Sequence, residues 1–303
     1  MESALKSLRN RIPILIGLGL LTLLAYKVVQ LWDEVAQYVW GGEPALLGLS
    51  LLILMSYLAL VALAWERILS VLGGSLGWMT GATVWFYSIL MRYLPGTFWY
   101  IPGRIQLSRS HGVVAEKSSL SLVLESYLEL LSGLLVGGGA LVMAFGGISV
   151  VPLAGAAVLL LLGLRPVVFL RVVNAILRRI GREEIALVLR YRQMVLLLLP
   201  YLASWALYGL AFWVLLLFLR VPEPPSPWAT ASICELSWVA GFLALPIPQG
   251  LGVREAVLTL LLSNYMPVAV ASLAALLWRL CILVAEIAAA GMASGLNRLS
   301  RRS

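Results

Sequence analysis

Inside the apolar stretches of this 303-residue chain stand four arginines, Arg92, Arg104, Arg254 and Arg279, and four glutamates, Glu125, Glu129, Glu235 and Glu286. An ionisable side chain in such surroundings is costly, so each marks a functional contact or a partner of opposite sign. The equal numbers favour mutual pairing that locks helices together, but two of the arginines point to a ligand. Arg254 closes the segment LPIPQGLGVR, Leu245 to Arg254, and Arg104 closes LPGTFWYIPGR, Leu94 to Arg104. In the former, Pro246 and Pro248 stop a helix, Gly250 and Gly252 permit a turn with close backbone approach, and helical patterning resumes at Val253. The free N–H groups and positive dipole end of the resuming helix, next to Arg254, form an anion site. Gly250, Gly252, Arg254 and the adjoining Glu255 are therefore candidate substrate contacts.

The earlier segment repeats the idea with Pro95, Gly96, Pro102, Gly103 and Arg104, and with Arg92 shortly before it. Trp85, Phe86, Tyr87, Tyr93, Phe98, Trp99 and Tyr100 surround this break. They either line a groove for an acyl or prenyl chain or anchor the protein at the membrane interface. Glu125 and Glu129, four apart on one helix face, Glu235, and Arg279 with Glu286 seven residues later form a candidate coupling or gating network.

The elements that must carry these residues follow from composition. With 61% of residues apolar, 12% charged and a mean hydropathy of +0.97, the chain holds more apolar surface than one soluble core can hide. A bilayer core about 30 Å thick needs about 20 apolar residues per helix. Six stretches qualify: 12–31, 45–65, 118–145, 148–170, 194–219 and 267–292. Two more, 78–112 and 228–262, are interrupted by Pro and Gly and read as re-entrant helical hairpins. The N-terminus starts with a basic stretch, yet its apolar run continues to about Leu31 with no small-x-small cleavage site, which reads as a retained first helix.

Lys6, Arg9 and Arg11, the arginines of 165–192, and Arg298, Arg301 and Arg302 fall on one side of the predicted spans, which places both termini in the cytoplasm. Segment 165–192 mixes apolar and basic residues at helical spacing and suits an amphipathic helix on the inner membrane face. Three crossings separate the two hairpins, so the second enters from the opposite side. The expected architecture is an all-α integral membrane protein, one polytopic domain over 1–303, with an inverted repeat. Its first half is 45–145 and its second 194–292.

Several chemistries are excluded or unsupported. His111 is the single histidine, so a multi-His metal site and a His-based triad cannot be assembled within one chain, and with Asp33 the single aspartate no acidic metal motif such as DxD occurs. Cys234 and Cys281 lie in apolar runs without metal or disulfide spacing. No phosphate-binding loop occurs, and the net charge of +8 reflects basic loops without aromatic platforms for nucleic acid. No cofactor and no nucleic-acid partner are expected.

The combination of LPG…PGR, a span with acidic residues, the PxxxGLGxRE block from Pro246 to Glu255, and the later ALLWRL containing Arg279 resembles the transmembrane region of bacterial lysylphosphatidylglycerol synthetases and the stand-alone flippase-like proteins related to it. The likeness runs from about residue 12 to 292, and the first motif departs in carrying Phe98, Trp99 and Tyr100. The resemblance implies translocation of a lipid, either an aminoacylated phospholipid or a polyprenyl-phosphate sugar. The synthetases also carry a soluble aminoacyl-transfer domain that has no counterpart here, so lipid lysylation is not expected. The leading expectation is a flippase in the cytoplasmic membrane whose substrate carries a phosphate-containing headgroup, held by Arg254, Arg104 and Arg92. Two alternatives stay open. One is a membrane transferase acting on a lipid-linked donor with Glu125 or Glu235 as base. The other is a non-transporting partner that docks a cytoplasmic synthase or glycosyltransferase through 165–192, and a homo-oligomer is compatible with all three.

Overall fold

A computed structural model describes residues 42–93, 99–144, 162–179, 189–244 and 250–300, with isolated positions at 22, 26, 29, 30, 32, 33, 36, 155, 158, 181 and 247. Among the described residues every regular element is helical. The helices are α1 (Pro44–Val71), α2 (Trp78–Leu90) with a 3-10 turn Met91–Tyr93, α3 (Tyr100–Arg109), α4 (Ala115–Ala144), α5 (Pro166–Arg179), α6 (Tyr191–Phe218), α7 (Pro227–Leu243), α8 (Val253–Leu262) and α9 (Val268–Ser300). Four of them, α1, α4, α6 and α9, are long and apolar enough to cross a membrane. Leu49, Leu52, Leu196, Leu199, Val284 and Ile287 stand exposed on three of these, which is the arrangement lipid rather than water tolerates. Expected span 12–31 lies outside the continuously described residues, as does most of 148–170.

Local chemistry sets the helix ends. Pro44 and Pro227 sit in the first turns of α1 and α7, where a missing N–H costs nothing. Ser226 caps α7 by accepting from Ala229 N at 3.2 Å. After α1 the chain turns at Gly73, and the Glu66 carboxylate gathers the link to α2 by accepting from Ser75 Oγ and the N–H groups of Leu76 and Gly77. Two expectations are corrected. Segment 148–170 is not one span: the chain turns at Leu164 and Arg165, and a new helix starts at Pro166, whose ring cannot continue the preceding one. Pro102 and Gly103 do not interrupt the first hairpin region either; they lie in the first turn or so of α3, where proline is tolerated, so the break ends before Tyr100. In the second region the restart falls at Val253, with Gly250 and Gly252 at φ 61° and 79°, as the glycine pattern predicted.

Helices α1 to α4 and α6 to α9 form two sets with matched dimensions. α1 and α6 each have 28 residues, α3 and α8 each have 10, and the links 110–114 and 263–267 are equal in length. α1 and α6 run antiparallel at the centre: Ser50 Oγ donates to Ala211 O at 2.7 Å, while the Tyr57 ring meets Tyr208 at 5.0 Å and Trp205 at 6.2 Å. The packing is mirrored across this pair. α1 touches α2 and α4 as α6 touches α7 and α9; α2 packs on α9 as α7 packs on α4. Small residues bring the helices close. Gly209 lies against the Ala231 backbone, and Gly137 against that of Glu235 and Leu236. Tryptophan N–H groups buried in this core are hydrogen-bonded: Trp65 to Ser121, Trp205 to Ser132 and Trp278 to Tyr208, at 3.0, 2.9 and 3.0 Å.

Candidate functional site

Where the two sets meet, a cavity of ≈ 280 Å³ opens, and both helix breaks contribute to its wall. α1 supplies Tyr57, α2 supplies Trp85, and the 3-10 turn brings Arg92. α3 brings Tyr100 and Arg104, and α4 brings Glu125 and Glu129. From the second set come Tyr208, Trp238, Gly241, Gly250, Arg254, Arg279 and Glu286. Eight of the eleven sequence-predicted residues thus share one wall.

Charge pairing sorts them. Arg104, 2% exposed, pairs with Glu125, receives support from Ser88 Oγ at 2.8 Å, and lies between the Trp65 and Trp85 rings at 5.0 and 5.6 Å. Trp85 Nε1 donates to the other Glu125 oxygen at 2.7 Å. Arg92 pairs with Glu286, whose second oxygen accepts from Tyr93 Oη at 2.9 Å. Arg279 approaches Glu255 at 3.7 Å. Arg92–Glu286 ties the first break to α9 of the other set, while Arg104–Glu125 and Arg279–Glu255 each tie a short helix to the next long helix of its own set.

Arg254 has a different setting. Its guanidinium lies over the Trp238 ring at 5.4 Å, its Nε is buried without a hydrogen bond, and no carboxylate among the described residues comes within ion-pair distance. Its position is set by backbone contact. Gly250 packs on the Gly241 backbone and the Arg254 stem crosses Gly241, so a Cβ at Gly241 would meet Arg254 Nε at 2.7 Å. Glu255, one residue on, is turned away from the cavity: it accepts from Gly252 N at 2.8 Å and closes the start of α8. Gly252 shapes the turn without lining the wall. Glu129 is the complementary case on α4, a cavity-lining carboxylate with no ion pair or side-chain hydrogen bond among the described residues. Glu235 stands behind the wall, on α7, fully buried.

Of the aromatics expected around the first break, Trp85 and Tyr100 line the cavity and Tyr93 orients Glu286. Phe86 packs edge-on against Trp85 at 5.2 Å, Tyr87 accepts from Ser294 Oγ at 2.8 Å, Trp99 is exposed, and Phe98 lies outside the described residues. Sequence reading missed Tyr57, Tyr208, Trp238 and Gly241. A tyrosine inside an uninterrupted apolar span, as in LILMSYLAL, and a glycine within a helical run, as in WVAGFL, were the available signals.

The amphipathic segment is helical over α5. Phe169 is buried against Tyr127 with ring centroids 5.1 Å apart, and Tyr127 Oη donates to Gly163 O, while Arg171, Arg178 and Arg179 are exposed. Arg182 lies outside the described residues.

A family model described as lysylphosphatidylglycerol synthase TM region matches residues 11–290, which takes in the whole cavity wall. No curated protein matches the chain.

Proposed function

The chain belongs to the lysylphosphatidylglycerol synthase transmembrane-region family, and from that premise we propose that it moves a phosphate-containing lipid across the cytoplasmic membrane. The carrying observation is Arg254. It faces a cavity in which the other arginines are matched by carboxylates, so it is the cation available to an anionic headgroup. Its neighbours Trp238, Tyr57 and Tyr208 provide apolar walls with polar edges, suited to a headgroup entering from lipid. The cavity volume suits a headgroup while the acyl or prenyl chains stay in the bilayer.

The matched dimensions and mirrored packing of the two helix sets support an inverted repeat, with α2/α3 and α7/α8 as re-entrant arms entering from opposite sides. If the apolar stretches 12–31 and 148–163 also cross, six full crossings put both termini on the same side, and the basic residues of α5 and the C-terminus mark that side as the cytoplasm. The Arg92–Glu286 pair, which joins the first set to the second, is the contact that exchanges as one set rocks against the other.

The test is movement of fluorescent phospholipids and prenyl-phosphate sugars in liposomes holding the purified protein. Wild type moves one lipid class; Arg254→Ala falls to the rate of protein-free liposomes with its melting temperature retained. Arg254→Lys, which keeps the charge without the planar fork, lies between them. Movement indifferent to Arg254, or none for any lipid, sinks this reading.

A further inference from the structure

Behind the cavity wall one carboxyl group has no polar partner. Glu235 on α7 is fully buried, and neither of its oxygens meets a hydrogen-bond donor among the described residues. α4 covers it closely: a Cβ on Gly137 would lie 3.1 Å from Leu236 N and 3.3 Å from Glu235 Cβ. An ionised carboxylate held there bears its desolvation uncompensated, whereas the neutral acid bears far less. Arg254 is a cation in its electrostatic reach: the Arg254 stem crosses Gly241 and its guanidinium lies over Trp238, six and three residues along α7 from Glu235. The other titratable groups in electrostatic reach are Glu129 from α4, Tyr57 from α1, Tyr208 from α6 and Cys234 beside it on α7.

We propose that Glu235 is a proton-binding site coupled to the lipid site through Arg254. The single guanidinium serves two alternative anions, the headgroup phosphate in the cavity or the ionised carboxylate behind the wall. While phosphate holds Arg254 on the cavity side, Glu235 lacks a counter-ion and keeps a proton taken up from water. When phosphate leaves, Arg254 is free to swing along α7 onto the carboxylate, and the proton returns to water. Phosphate and proton therefore bind together and leave together, and by linkage each raises the affinity for the other. A pH gradient then drives the lipid in the direction the proton falls. Glu129 lines the cavity, where water can reach it, whereas Glu235 is sealed behind the wall. This inference rests on the transport reading above.

The experiment uses the full chain in liposomes, with fluorescent phosphatidylglycerol as probe and an imposed pH gradient, beside infrared spectra of the same protein in the carboxylic-acid carbonyl region. Wild type is expected to move the probe several-fold faster with a gradient of one sign than with none, and to show, with the probe present, a protonated-acid band at neutral pH. Glu235→Gln is expected to move the probe at one gradient-independent rate and to lack that band. Glu235→Asp, which keeps a protonatable group, retains the gradient dependence and replaces the glutamine variant should that one not fold. The proposal is overturned if Glu235→Gln still responds to the gradient, if Glu129→Gln abolishes the response instead, if a sodium gradient serves equally, or if wild type lacks the band. A probe that moves with no gradient effect overturns the coupling and leaves the transport reading standing. A probe that moves under no condition overturns the transport reading and the coupling together, and the band then decides only whether Glu235 holds a proton.

Discussion

Removing the guanidinium of Arg104 leaves Glu125 inside the protein with one hydrogen bond, from Trp85 Nε1, and no counter-charge. Breaking a buried pair on one side costs about 3–5 kcal/mol, whereas replacing both partners costs much less. Arg104→Ala is therefore expected to lower the melting temperature sharply, and Arg104→Met with Glu125→Leu to recover most of the loss. A double variant that melts no higher than the single one would show that the pair does not carry this energy. Arg254→Ala removes a cation with no carboxylate partner among the described residues, so its effect falls on lipid movement and little on melting. The contrast was hidden in the sequence, where both arginines follow Pro/Gly breaks. It arises from what the fold brings opposite each: Glu125 and two tryptophan faces for Arg104, a single indole face and open cavity for Arg254.

At the level of helices, close approach depends on side chains that are absent. Gly209 lets α6 rest on the Ala231 backbone of α7, and a larger residue there drives the two apart. Gly209→Leu is expected to destabilise by about 1–3 kcal/mol, read as earlier thermal unfolding in detergent. Gly241→Ala acts differently, because the group it displaces is the Arg254 stem. It should lower lipid movement toward the Arg254→Ala rate while melting changes much less; unchanged movement would show that Arg254 needs no such support. Helix restarts were legible where glycine had a conformational task, as at Gly250 and Gly252 before Val253. They were misread where proline merely opened a helix, as at Pro102 in α3 and Pro166 in α5, because the same residue type both ends and begins helices. Which helices would face one another was illegible, since small residues mark closeness without naming the partner.

Across the whole molecule, the two matched sets meet along α1 with α6, α2 with α9 and α4 with α7. If they move as bodies, joining them at the rim stops transport without touching the cavity. Thr83 Oγ1 donates to Ala293 O at 3.3 Å between α2 and α9, away from the lining residues. Oxidised Thr83→Cys with Ala293→Cys is expected to halt lipid movement, and reductant to restore it; Cys234 and Cys281 are buried and should take no part. Movement that survives complete cross-linking would rule out relative motion at this contact. The similar spacing from each break to the next span was visible in the sequence, but the central helix pair was not, because nothing in the α1 or α6 sequence announces that Tyr57 meets Trp205. The indole of Trp238 beneath the Arg254 guanidinium has one more use: tryptophan emission is sensitive to an adjacent positive charge, so a headgroup or a carboxylate that draws the cation off the ring gives the protein an intrinsic optical signal of its own state, one that Trp238→Phe would silence.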